Sequence, residues 1–257
     1  MGSLASPKRV AVVTGAAQGI GRCIAMRLAA DGLDVAVNDL PTKLAQLEAI
    51  ATEIKSLTGC QAIVVTGDVS RDEDVEAMVA SVVEGLGGLD VMVANAGITE
   101  FRSLVDLDVK EWDRNMAINA RGVMLCYKYA AKQMIEQGRG GRIIGIPSLS
   151  AYAASKFAVR GLTQCAALEL AAHKITVNAY APGAIRTNIV NNEEDMREDE
   201  RLGLPPGTTT MKRLNMPMNI PMADPEVIGS LVSYIAKPES HFITGQTISA
   251  NGGTHCD

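Results

Sequence analysis

Tyr152 and Lys156 stand four residues apart in the run Ala151-Tyr-Ala-Ala-Ser-Lys156. In a helix they share a face, because side chains at i and i+4 are surface neighbours. An ammonium beside a phenol favours phenolate and lowers the tyrosine pKa from about 10 toward neutrality. Such a tyrosine can give a proton to a carbonyl oxygen or take one from an alcohol. On its own, the pair reads more simply as an interior helix with an amphipathic Tyr and a snorkelling Lys. Other residues of the chain change that reading.

The first of these is Thr14-Gly15-Ala-Ala-Gln18-Gly19-Ile20-Gly21, between the apolar run Arg9 to Thr14 and a helical pattern from about Gly19 to Asp31. Glycines at a strand-to-helix turn let the backbone approach a pyrophosphate closely. The helix N-terminus then offers N–H groups and a positive dipole to that anion. The spacing G-x-x-x-G-x-G differs from G-x-G-x-x-G, with the same physics behind it. Asp39 follows the second strand, 24 residues after Gly15. An acid there accepts hydrogen bonds from the adenosine ribose hydroxyls. Its charge repels a 2′-phosphate, and the nearest base along the chain is Lys43, so NAD (NADH rather than NADPH) is the expected cofactor. The competing reading of Asp39 is a turn former before Pro41.

Elements must hold these residues in place. Apolar, β-rich runs alternate with longer helical patterns, which implies an α/β fold: a Rossmann-type doubly wound parallel sheet of about seven strands with helices on both faces. Strands are expected at 9–14, 34–38, 61–66, 89–94, 142–146, 175–180 and 246–250. Helices are expected at about 19–31, 42–57, 72–86 (capped by Ser70), 110–137, 152–172 and 225–236. Between Pro182 and Asp224 the periodicity lapses in a stretch rich in charge, Pro and Met. A gap that long inside a compact domain is more often a lid than a linker. The expectation is one catalytic domain over residues 1–257 with a substrate lid at about 186–223.

Composition narrows the classes. The chain has 257 residues, 47% hydrophobic and 21% charged, with a net charge of −5 and no long basic run. Nucleic acid and anionic membranes are therefore not expected partners. Five scattered cysteines without a CxxC pair read as reduced, packing residues of a cytoplasmic protein. The three histidines share no metal-type spacing, so no metal site is expected. The first nine residues have no apolar core of signal-peptide length, and no run is long enough to span a membrane.

Taken in order, these motifs resemble the short-chain dehydrogenase/reductase family in its single-domain form. Thr14 to Gly21 is similar to the family's TGxxxGxG turn. Asp68-Val69 is similar to its adenine-contacting pair, and Asn95-Ala96-Gly97 to its NAG motif. Asn119 resembles the helix asparagine that organises a proton-relay water. Tyr152 and Lys156 resemble YxxxK, and Pro182-Gly183 with Ile185 and Thr187 the segment that holds the nicotinamide carboxamide. The resemblance runs from Arg9 to Gly253. It implies hydride transfer between nicotinamide and a ketone or secondary alcohol, with Tyr152 as general acid or base. Lys156 would tune it and hold the ribose, and Asn119 would hold the relay water. It also implies a homotetramer built on two long helices.

One departure stands out. The family's catalytic serine ends the fifth strand well before the tyrosine. Here Ser148 fits that place best yet is only four residues from Tyr152, so much of the usual connecting segment is absent. Extended chain covers about 3.3 Å per residue, enough to link strand to helix but not to keep both ends in their family positions. Either the helix start unwinds, or Ser148 leaves its site, or Ser150 replaces it. Three readings stay open: a working enzyme with a remodelled pocket, a cofactor-binding protein with impaired chemistry, or a variant lacking a segment.

Around the tyrosine, residues 152–164 and 175–183 are most similar to the acetoin (diacetyl) reductase and 2,3-butanediol dehydrogenase branch. A small vicinal diketone suits a short pocket wall. Oxoacyl-carrier-protein reductases and sugar dehydrogenases share much of the same pattern and are the alternative. Met211, Met216, Met218 and Met222 either line the pocket or seat the lid. The acidic run Glu193 to Glu200 reads as the solvated face of a lid helix.

Overall fold

The structure is a computed structural model that describes residues 8–98, 107–146, 151–187, 193–205, 207–213 and 221–254. The side chains of residues 151–154, 156, 193 and 213 lie outside that description. The chain opens with β1 (Val10–Thr14), α1 (Gly19–Ala30), β2 (Asp34–Asp39), α2 (Leu44–Thr58), β3 (Ala62–Thr66), α3 (Asp72–Leu86) and β4 (Val91–Ala94). It continues with α4 (Val109–Met116), α5 (Gly122–Gln137), β5 (Gly141–Gly145), α6 (Ala151–Leu170) and β6 (Ile175–Pro182). The last elements are β7 (Ala184–Ile185), α7 (Glu193–Leu202), α8 (Thr208–Arg213), β8 (Met222–Ala223), α9 (Pro225–Ala236) and β9 (Thr247–Ala250).

Seven strands form one parallel sheet in the order β3-β2-β1-β4-β5-β6-β9, the doubly wound arrangement expected from the alternation of patterns. The order reverses between β1 and β4, and ligands of such sheets bind beyond the carboxyl ends at that switch point. The unbroken apolar character of β1 follows from its position. Ala11 and Val13 enter the core layer under α1, α2 and α9, while Val10 and Val12 enter the opposite layer under α3, α5 and α6. A strand covered on both faces has no polar side to show.

The long helix expected over 110–137 is two helices, α4 and α5, joined by one turn of π-helix at Ala117–Arg121. Ser70 does not cap α3. Its N–H and hydroxyl donate to Asp68 Oδ1 at 2.8 and 2.7 Å, and Asp74 from inside the helix accepts the Asp68 N–H at 2.9 Å. α6 starts close behind β5 but is held further along: Val159 is fully buried, and Thr163 Oγ1 lies 3.0 Å from the Tyr127 hydroxyl.

The lapse in periodicity contains the short helices α7 and α8, bounded by the two-stranded pairing of β7 with β8. The acidic run on α7 is not wholly solvated. Asp199 is buried and accepts from the N–H and hydroxyl of Thr209 at 2.8 and 2.6 Å, while Thr210 donates to Asp195 at 2.9 Å. These carboxylates face α8 because its first N–H groups and hydroxyls need acceptors. Met211 is buried on α8, Met222 half-buried in β8, and Met216 and Met218 lie outside the described residues.

The cysteines divide by environment. Burial pushes the Cys126 thiol up to about 12. Burial and then the Glu226 carboxylate push Cys23 to about 11. Cys60 is enclosed, and Cys165, expected to pack, is exposed on α6. Because the thiolate is the nucleophile, iodoacetamide at mildly alkaline pH should reach Cys126, fully enclosed and the least acidic of them, last. Peptide mass spectrometry of a time course reads this directly, and early modification of Cys126 would contradict the packing. Among the described residues, no three His, Cys, Asp or Glu side chains cluster as a metal site, and no helix is long and apolar enough to cross a membrane.

Candidate active site

The glycine turn sits at the carboxyl end of β1, and its shape is set by contacts from three strands. Gly15 and Gly19 have φ of +65° and +54°, left-handed values that side chains rarely adopt. A Cβ on Gly15 would lie 2.9 Å from Ala96 Cα. A Cβ on Gly21 would lie 2.2 Å from the Gly15 carbonyl oxygen and 2.6 Å from Asn95 Nδ2. The glycines therefore let the first turn of α1 close onto the loop after β4. Gln18 precedes α1 without a side-chain cap, and that first turn holds no acid. Its N–H groups and partial positive charge remain available to an anion, as a pyrophosphate requires. The donor set fits a dinucleotide.

Asp39 ends β2 beside this turn. Its Oδ2 accepts the Ala17 N–H at 3.1 Å, and Oδ1 the Leu40 N–H at 2.9 Å. Two backbone donors fix the carboxylate, leaving further lone pairs for hydroxyls. On the first turn of α1, Arg22 is committed to Glu53 at 2.5 Å. Asp68 is folded into its own turn by Ser70. Val69 is buried against Gly122, where a Cβ would lie 3.0 Å from Val69 Cγ2.

After β4, Asn95 donates from Nδ2 to the Thr14 carbonyl at 2.8 Å and the Gly15 carbonyl at 3.4 Å. The Thr14 hydroxyl accepts the N–H groups of Asn95 and Ala96 at 3.0 and 2.9 Å. Asn119, fully buried in the π turn, grips Ile98 at both ends: Oδ1 accepts its N–H at 2.9 Å and Nδ2 donates to its carbonyl at 2.8 Å. Gly97 leaves room for this, since a Cβ there would lie 3.1 Å from Asn119 Oδ1. A π turn inside an α-helix is a frequent mark of a functional position.

Pro182 closes β6, and the Gly183 N–H donates to the Ala250 carbonyl at 3.0 Å. Ile185 is buried in β7, and Thr187 approaches the glycine turn, with its Cγ2 3.5 Å from a Cβ built on Gly19. Gly15 to Gly21, Asp39, Asn95 to Gly97, Asn119 and Thr187 thus gather at one end of the sheet. Tyr152 and Lys156 fall in the first two turns of α6, with side chains outside the described ones, and Ser148 and Ser150 lie outside the described residues. Thr14, the first residue of the motif read from the sequence, thus ties the turn to the loop after β4 through its hydroxyl. One residue was not anticipated as part of this site. Tyr180, whose hydroxyl donates to Asn95 Oδ1 at 2.8 Å, gives no sign in an apolar strand.

Comparison with known proteins agrees with this geometry. A short-chain dehydrogenase/reductase of Hericium erinaceus, eriH, is 49% identical over 96% of this chain and 98% of its own. The 3-oxoacyl-[acyl-carrier-protein] reductase FabG of Staphylococcus epidermidis and the L-2,3-butanediol dehydrogenase of Corynebacterium glutamicum are each 38% identical, over 95% of this chain and 98% of theirs. The crystal structure of acetoin dehydrogenase YohF from Salmonella typhimurium superposes with a TM-score of 0.78 at 31% identity, covering 96% of this chain and 95% of that one. The Hericium match extends over 261 positions although this chain has 257 residues, so the relative carries residues this chain lacks. The sequence profile described as short chain dehydrogenase matches residues 9–198, and the chain belongs to the short-chain dehydrogenase/reductase family of NAD(P)-dependent oxidoreductases.

Proposed function

We propose that the protein is an NAD(H)-dependent oxidoreductase acting on a small ketone or secondary alcohol, with diacetyl, acetoin and 2,3-butanediol the favoured substrates. The observation that carries the cofactor choice is Asp39, fixed by the Ala17 and Leu40 N–H groups beside the glycine turn. A fixed carboxylate welcomes ribose hydroxyls and repels a 2′-phosphate, and Arg22, the base on α1 nearest the turn, pairs with Glu53 at the surface. The likeness to butanediol and acetoin dehydrogenases supports the substrate class, and the short connection before α6 leaves little chain for a wall around a bulky substrate.

The nicotinamide supplies or accepts the hydride when bound. The first turn of α1 binds the pyrophosphate, Asp39 the adenosine ribose, and Asp68 and Val69 border the adenine. Asn95 to Gly97 hold the turn in shape. Thr187, with Pro182, Gly183 and Ile185, positions the carboxamide end. Tyr152 gives its phenolic proton to the carbonyl oxygen in reduction and takes it back in oxidation, with Lys156 favouring the phenolate and holding the ribose. Asn119, its side chain bonded to both ends of Ile98, organises the relay water from the π turn. The substrate lid is α7 with α8, and the working assembly is a homotetramer.

Two other readings have support. The FabG likeness favours a 3-oxoacyl thioester substrate. The four residues between Ile146 and Ala151 favour a dinucleotide-binding protein without turnover. The deciding experiment follows loss of NADH absorbance with excess diacetyl, with a 3-oxoacyl thioester and with NADPH in parallel. Turnover of diacetyl with NADH, about tenfold or more above NADPH, is the expected result, since like charges juxtaposed in a site cost several kcal/mol. NADPH-dependent reduction of the thioester alone would replace this reading with the first alternative, and binding of NADH without turnover of any carbonyl with the second.

A further inference from the structure

An amide side chain can be set either way round, and the turn of Asn95 decides whether a donor or an acceptor faces the glycine turn. We propose that Tyr180 fixes that orientation and is thereby a positioning residue for the dinucleotide site; this rests on the reading of Gly15 to Gly21 as the pyrophosphate turn.

Tyr180 is fully buried in β6 between Ala179 and Ala181, packed in the core layer that also holds Ile144, Ile146 and Ile185. Its hydroxyl reaches Asn95 Oδ1 at 2.8 Å across 85 positions of sequence. With Oδ1 satisfied on that side, Nδ2 faces the turn and donates to the carbonyls of Thr14 and Gly15. The reversed amide would set its oxygen against those two carbonyls. The fit is close, because Nδ2 lies where a Cβ on Gly21 would come within 2.6 Å. The Gly15 carbonyl is therefore turned inward to Asn95, and the peptide it belongs to is held in one orientation at the mouth of α1.

A phenylalanine at 180 would keep the ring and remove the donor. Asn95 Oδ1 would then be a half-buried acceptor stripped of this partner, and a lost partner costs more than a made bond gains. The amide becomes free to turn, and the glycine turn loses its fixed shape before ligand arrives. Pre-organisation of that kind is paid back as affinity.

The test is Tyr180→Phe in the full chain, with affinities from NADH fluorescence and competition. NADH and ADP-ribose are expected to weaken by about three- to tenfold. Adenosine, which lacks the pyrophosphate, should compete as it does in the wild type. A lower melting temperature with unchanged ADP-ribose affinity, measured well below that melting point, would make Tyr180 merely structural and overturn the proposal. Equal weakening of adenosine and ADP-ribose would overturn it too, because the effect would not be centred on the turn. If Tyr180→Phe does not fold, hydrogen exchange of the Asn95 side-chain amide in the ligand-free wild type serves instead: Nδ2 protons held on the Thr14 and Gly15 carbonyls should exchange far more slowly than those of a free amide, and free-amide exchange would overturn the idea. A wild-type chain that binds neither NADH nor ADP-ribose would instead sink the reading of the site itself, before any variant is made.

Discussion

Gly21→Ala is expected to cripple dinucleotide binding while leaving the fold recognisable. The added methyl would lie 2.2 Å from the Gly15 carbonyl oxygen and 2.6 Å from Asn95 Nδ2, both on main-chain or tightly bonded groups that cannot step aside. α1 would have to lift from the loop after β4, or the turn open. Overpacking of this sort costs about 1–3 kcal/mol, and for a chain of this size about 1 kcal/mol lowers the melting temperature by about 2–4 °C. The larger effect falls on the ligand, because the N–H groups of the turn lose their common aim. NADH affinity should drop by far more than tenfold, read by fluorescence titration below the lowered melting point. Gly21→Ala binding NADH as the wild type does would mean the cofactor sits elsewhere.

The second large effect is on chemistry rather than binding. Tyr152→Phe removes the proposed proton donor at the start of α6 and adds no bulk. General acid catalysis contributes about 10²–10⁴-fold, so diacetyl reduction should fall by about that factor. NADH affinity should stay within about twofold, because a removed phenolic hydroxyl bears on proton transfer rather than on the pyrophosphate turn. A variant that retains wild-type turnover would show that the proton comes from another group or from water. Should the wild type itself be silent, lengthening the connection between Ile146 and Ala151 is the informative change, and recovery of Tyr152-dependent turnover is the expected outcome.

The sheet was legible in the sequence for a simple reason. Strands covered on both faces are dominated by apolar, β-branched residues, as in Val10 to Val13, and even Ile175 to Ala181, where Thr176 and Asn178 are buried among apolar neighbours, stands out once helical runs flank it. The glycine turn and Asp39 were legible because their chemistry demands particular residue types at a particular junction. The π turn at Ala117–Arg121 was not, since a shift of one residue in backbone bonding leaves the apolar pattern of the helix almost unchanged. Asp199 was misjudged because a run of acids looks solvated until α8 is known to present Thr209 to it. Tyr180 and Asn95 meet only through the strand order, which no local pattern encodes.

The way α6 is fastened has a consequence for how this gene can change. Its grip on the body begins at Ser155, Val159 and Thr163, downstream of the five residues that separate β5 from α6. Additions or losses in that connection are therefore expected to alter what surrounds Tyr152 more than the seating of the helix itself. Solubility and catalytic competence can be inherited separately at this point of the chain.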